Sequence, residues 1–284
     1  MSFPDNFVWG AAAASYQIEG GAYEDGKGLS VWDMMCRQRG RVYAGHTGDV
    51  AINHYHRYKE DVALMKQMGL MAYRLSISWP RVLPEGVGPV NEAGLDFYDR
   101  LVDELVAADI VPYVTLFHWD FPHALYCRGG WLNPQSPEWF AEYAEVVVDK
   151  LSDRVKYWMT LNEPQCFIGL GLLDGIHAPG DKLGLEEVLL AGHHTLLAHG
   201  RSVQVIRART RLESSIGYAP TGSPVMPANE ADKDNVEQAR KAMFAVKNRN
   251  CWNISWWSDP VILGHYPEDG LSTYGSAAPK FKDS

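Results

Sequence analysis

The chain has 284 residues, 46% hydrophobic and 21% charged, and its 26 Lys+Arg against 35 Asp+Glu give a formal net charge of −9. That is a globular composition, and the acidic balance argues against nucleic acid or an anionic membrane surface as a main partner, because both need a concentrated basic face. No window approaches the roughly 20 apolar residues of a membrane span.

Met1-Ser2-Phe3-Pro4-Asp5-Asn6 has neither the basic nor the apolar region of a secretory leader, so a cytoplasmic location is expected. Phe7 to Ala12 reads as a first short strand, followed by a long Gly-rich loop to about Gly48. Tyr55, Tyr58, Val62 and Met65 recur at helical spacing and predict a helix over 52–68, with Gly69 placed to end it. Met71 to Ile77 is a second strand, and Leu95, Tyr98, Leu101 and Leu105 mark a second helix. Val111 to Trp119 is a third strand. Ser136-Pro137 then offers an N-cap and a first-turn proline for a helix that turns Phe140, Tyr143, Val147 and Leu151 inward. A fourth strand over 157–162, a long apolar helix over 185–207, a fifth strand over 215–219 and one last helical stretch over 232–257 complete the pattern.

Nearly continuous apolar strands alternating with helices indicate a parallel sheet covered by helices. There are no repeats, and the Pro-containing loop over 221–234 is too short to be a linker, so one domain over 1–284 is expected. Cys36, Cys127, Cys166 and Cys251 show no CxxC or Cys/His ligand spacing and are expected to be free, mostly buried thiols. His193, His194, His199, His54 and His56 offer no i, i+4 pair with an acidic partner in ligand register, so no metal is expected. The aromatic content, 12% with 10 Trp, suits either a core or a sugar-stacking surface.

Polar residues collect where strands end. Gln17 and Glu19 follow the first strand, His118-Trp119-Asp120 closes the third and Asn162-Glu163-Pro164 the fourth. Active sites of parallel α/β folds form at strand carboxyl ends. Amide, imidazole and carboxyl groups beside indoles suit a ring with hydroxyls at its edge and CH groups on its faces.

Six ordered stretches carry a resemblance. They are Phe7-Val8-Trp9-Gly10 with Ser15-Tyr16-Gln17-Ile18-Glu19-Gly20; Tyr73-Arg74-Leu75-Ser76-Ile77-Ser78-Trp79-Pro80-Arg81; His118-Trp119-Asp120 with Pro122; Thr160-Leu161-Asn162-Glu163-Pro164; His177-Ala178-Pro179-Gly180; and Asp259-Pro260 leading to Gly264 and Tyr266-Pro267. With these the chain resembles glycoside hydrolase family 1, the β-glucosidases. The resemblance implies a (β/α)8 barrel, a β-glucoside or oligosaccharide substrate, no cofactor, and a retaining mechanism with two carboxylates. Glu163 matches the general acid/base. Desolvation at an apolar strand end favours the neutral form such an acid needs, and Pro164 is expected to keep it extended. Gln17, His118 and Asn162 match residues that hold glycone hydroxyls, Asn162 near the 2-hydroxyl. Each is also a residue type that serves as a satisfied core polar group. Trp119 either packs beside the sugar or fills core. Arg74, inside an apolar strand, needs a carboxylate partner, and the family's matching arginine contacts the nucleophile. Glu19 and Asp120 are expected to orient loops rather than react.

The family's nucleophile sits in a Thr-Glu-Asn-Gly motif that this sequence lacks. Tyr23-Glu24-Asp25-Gly26 and Pro267-Glu268-Asp269-Gly270 are look-alikes that end no strand. Strand starts at 7 and 215 imply about 52 residues per strand–helix unit, and eight units need about 420. An incomplete TIM-type barrel of about five parallel strands with covering helices is therefore expected, inactive alone and open at both edges. Such edges favour self-association or a complementing C-terminal segment. A non-catalytic sugar-binding fragment and a structural half barrel are the alternatives.

Overall fold

Five parallel strands lie side by side in chain order: β1 (Gly10–Ala12), β2 (Ala72–Ser76), β3 (Val111–Phe117), β4 (Tyr157–Asn162) and β5 (Ser215–Ala219). The computed structural model describes residues 2–280; Met1 and residues 281–284, the ends of the expected domain span, lie outside the described residues. Helices α1 (Ser15–Ile18) and α2 (Val31–Cys36) interrupt the long Gly-rich stretch expected to be loop. Then come α3 (His54–Gln67), α4 (Trp79–Val82), α5 (Glu92–Ala107), α6 (His123–Tyr126), α7 (Ser136–Leu151), a π-helical segment Gln165–Leu173, α8 (Leu185–Arg209), α9 (Lys233–Phe244), α10 (Ser255–Ile262) and α11 (Glu268–Tyr274). No described helix is long and apolar enough to cross a membrane.

The sheet separates two environments by strand alternation. Leu75, Val114 and Trp158 are register partners and are buried under the helices. Arg74, Tyr113 and Tyr157 are partners one residue away on the other, concave face, where the two tyrosine rings stack at 4.3 Å. Trp79, wholly buried, anchors the helical layer by stacking on Tyr143 at 5.1 Å beside Phe117, Phe121 and Phe140. The inward stripes of α5 and α7 fall where the periodicity puts them, and Gly69, at φ 74°, ends α3 in the left-handed conformation glycine tolerates.

β2, β3, α3 and α8 depart from their expected bounds by one or two residues at an end, and three larger differences have a visible cause. β1 begins at Gly10, because its single neighbour β2 pairs only with that stretch; Phe7 and Trp9 instead form an exposed ring cluster with Phe3. Ser136 lies inside α7 and donates its hydroxyl to Trp131 O rather than capping. The expected last helix is broken after Phe244, since Val246 N–H turns away to the Asp269 carboxylate and Cys251 is drawn into the core.

Candidate active site

β1, β3 and β4 deliver their carboxyl ends to one rim, and the polar residues singled out in the sequence meet there. Arg74 donates from Nη2 to Asn162 Oδ1 at 2.7 Å and from Nε to Thr115 Oγ1 at 2.9 Å. A guanidinium only donates, so it fixes which end of the buried Asn162 amide is oxygen. The amide nitrogen then faces Glu163 Oε2 and His118 Nε2, each at 3.3 Å. Burial, with the Arg74 cation second, pulls His118 down to about 4. Near pH 7 the ring is therefore neutral, accepting at Nε2 and carrying its proton on Nδ1. Trp119 ties β3 to β4 by donating from Nε1 to Asn162 O at 2.9 Å.

Among the described residues Arg74 makes no ion pair with a carboxylate, as the missing nucleophile motif leads one to expect. Thr115 and Asn162 accept its bonds instead; burial lowers its pKa, and the more distant Glu163 charge opposes that fall.

Glu163 N–H donates to Ala219 O at 2.7 Å, extending the β4–β5 ladder, while the Cys166 and Phe167 N–H groups donate back to Glu163 O. The chain turns at Glu163 itself, at φ 47°. This corrects the extended geometry expected from Pro164. The proline bars the right-handed helical region at Glu163, and the turn is made in the left-handed one, after which Pro164 at φ −57° opens the π-helical segment. Left-handed backbone costs a non-glycine residue about 1–2 kcal/mol. Trp119, at φ 77°, bends the end of β3 in the same way.

Gln17, His118 and Trp119 line an open cleft of about 400 Å3, together with Tyr16, Trp32 and His177. Asn162 adjoins it through its bond to His118, and Glu163 through its bond to Asn162. The structure thus connects all six residues picked from the sequence. It adds His177, whose ring lies between Trp32 and Trp119 with centroids 5.5 and 5.3 Å away. Burial lowers the His177 pKa and the Glu163 charge raises it. Its signal in the sequence is the His177-Ala178-Pro179-Gly180 stretch. Cys166 also joins the site. Burial and then the Glu163 charge push its thiol up to about 11. Its three-residue spacing from Glu163, at a helix start, was the clue. The four cysteines are free; Cys36 and Cys251 are buried, Cys166 half-buried and Cys127 exposed.

Glu19 and Asp120 stand behind the cleft. Glu19 accepts from Arg81 Nε at 3.0 Å and Tyr98 OH at 2.6 Å, and Asp120 accepts the Ser15 hydroxyl at 2.8 Å. The histidines noted in the sequence are dispersed among protein partners: His54 with Asp61, His56 with Glu24, His193 with Tyr266, His194 with Trp131 O, His199 with Thr160. Among the described residues no group of three His, Cys, Asp or Glu gathers in a metal-holding arrangement.

The sequence matches glycosyl hydrolase family 1 over residues 1–284. It is 45% identical over 274 residues to beta-glucosidase A of Acetivibrio thermocellus, covering 96% of this chain and 59% of that one. It is 44% identical over 266 residues to beta-glucosidase A of Thermotoga maritima, covering 94% and 58%. A solved family 1 b-glucosidase from Thermotoga maritima superposes with TM-score 0.87 at 43% identity, covering 98% of this chain and 60% of that one. A complex of a Thermotoga maritima beta-glucosidase with deoxynojirimycin superposes with TM-score 0.86 at 42% identity, covering 98% and 61%. The chain spans about 60% of the length of the curated relatives it matches. Five strands of an open parallel sheet with this likeness make it an incomplete TIM-type barrel, and the chain belongs to glycosyl hydrolase family 1.

Proposed function

We propose that this chain carries the acid/base half of a retaining β-glucosidase that hydrolyses terminal β-D-glucosyl residues. The observation that carries the reading is the Asn162–Glu163 turn, in which a strand-end carboxylate is held by an amide that also binds His118 beside an indole-lined cleft. In this role Glu163 gives its proton to the glycosidic oxygen as that bond breaks, then takes a proton from the water that releases the sugar. Asn162 meets the 2-hydroxyl, His118 and Gln17 the hydroxyls further round the ring, and Trp119 flanks the sugar. Arg74 sets the Asn162 amide. No cofactor is required.

A retaining enzyme needs its nucleophilic carboxylate about 5–5.5 Å from the acid. We assign that group to polypeptide outside these 284 residues, so the chain alone has little or no activity. β1 and β5 each have one neighbour, and the complementing segment pairs with those edges. Unpaired edges also template self-association. The cleft formed without a nucleophile favours a second reading, sugar binding without chemistry. A concentration-dependent rise in Tm with glucose, in a chain that no complementing segment activates, would support it.

The acid role is tested in the reconstituted protein by varying the leaving group. Glu163→Gln lowers kcat/KM for an alkyl β-glucoside by about 10^2–10^4. It has far less effect on bond cleavage for a dinitrophenyl β-glucoside, whose leaving group needs no proton. Equal losses on both substrates would remove Glu163 from the acid role.

A further inference from the structure

Gln17 and His118 reach one cleft from two strand ends, so their separation depends on what joins α1 to the turn after β3. Gln17 is exposed, yet the residues flanking it are anchored. On one side Glu19 is held by Arg81 and Tyr98. On the other, Ser76 Oγ accepts the Ser15 N–H at 2.8 Å and donates to Ser15 Oγ at 3.1 Å. The Ser15 hydroxyl donates onward to Asp120 Oδ2 at 2.8 Å. This directed relay joins the ends of β1, β2 and β3 in a region where all three side chains are buried. Asp120 directly follows Trp119, whose left-handed backbone aims the indole and the preceding His118.

We propose that Asp120 is a positioning residue: by accepting the Ser15 hydroxyl it clamps the Gln17 helix to the His118–Trp119 turn and fixes the two walls of the cleft relative to each other. Its meaning for sugar recognition rests on the β-glucosidase reading; the clamp itself does not. The reason an acceptor is needed is chemical. Ser15 Oγ already receives a proton from Ser76, so its own must go to a group that can take it. Asparagine can do so through its oxygen, and alanine cannot.

The test follows the His118 ring by NMR titration of histidine-labelled chain. In the unmodified chain the midpoint is expected at about 4. Asp120→Ala and Ser15→Ala loosen the turn, admit water and raise the midpoint by about one pH unit or more, toward the ordinary value near 6.5. Asp120→Asn keeps the acceptor and holds the midpoint within a few tenths. Burial already keeps the Asp120 carboxyl neutral at the pH where His118 titrates, so a rise reports lost burial rather than lost charge. Where Asp120→Ala does not fold, Ser15→Ala decides. Binding of 1-deoxynojirimycin, measured by calorimetry, weakens about tenfold in the loosened variants. Should the unmodified chain not bind it while the His118 midpoints move as stated, the sugar reading fails and the clamp stands. Folded Ser15→Ala with the His118 midpoint unchanged overturns the clamp, whatever the binding result.

Discussion

β4 and β5 run side by side, with Tyr157 paired to Ser215 and Asn162 to Ala219. β4 has a neighbour on each side and buries Trp158, Thr160, Leu161 and Asn162, while β5 has one neighbour and buries no residue fully. Trp158 and Ile216 are register partners and both apolar, yet the first is 1% exposed and the second only half-buried. Burial here follows the number of neighbours rather than the side chain's own character. The difference extends outward: Met226, Ile262 and Leu263, in segments that follow β5, lie exposed, whereas the Asn162 side chain is held by Arg74 of β2, His118 after β3 and Glu163 after β4. The finished side of the molecule holds the acid, and the unfinished side is where a second carboxylate has to arrive.

The contrast is broken most severely at Trp79. Trp79→Ala removes the hub of the packed layer and is expected to cost about 3–5 kcal/mol in urea unfolding. A loss below about 1 kcal/mol would mean that the ring cluster is not the core of the closed side.

Asp120 allows a pH test of the same side. Burial raises its pKa to about 7 from the ordinary 3.8. The stability linked to its neutral form is complete below about 3.8 and is lost as pH rises through about 7. Relative to the unmodified chain, Asp120→Asn should therefore gain stability between pH 4 and pH 8, by about 2–4 kcal/mol. A Tm difference between the two proteins that does not change with pH would contradict this.

Hydrogen exchange sharpens the comparison strand by strand. Amides of β3 and β4 should be protected to a greater degree than those of β5, which frays from its open edge. Equal protection across the sheet would show that β5 is covered in solution, by a second copy of the chain for instance, and sedimentation at two concentrations would then report the dimer. The smallest effect belongs to Ile262→Ala, at a side chain 74% exposed, with an expected cost within about 0.5 kcal/mol. A larger cost would place a partner over that residue.

The sequence made β4 and β5 legible to the residue, because each is a short, mostly apolar run stopped by polar residues or proline. The stripes of α5 and α7 were legible for the analogous reason at helical period. What was hidden depended on distant partners. The break between α9 and α10 is set by Asp269 and by burial of Cys251, although Asn248, Asn250 and Asn253 were local hints. The shortness of β1 reflects its single neighbour. In the site, motif residues named Glu163, Asn162, His118 and Gln17, but not the left-handed turn at Glu163 nor the role of Arg74 in orienting the Asn162 amide. Both arise only once the sheet has brought the ends of β2, β4 and β5 to one rim, with β3 between the first two. His177 comes from a loop and Trp32 from α2, a helix too short for periodicity to mark.

The most direct test of the half-site account is hydrolysis of an aryl β-D-glucoside by purified chain of verified mass, before and after adding a polypeptide that supplies the remaining strand–helix units of a family 1 barrel. The account predicts negligible turnover by the chain alone and hydrolysis on addition. Turnover by the chain alone at the rate of a complete β-glucosidase would contradict it.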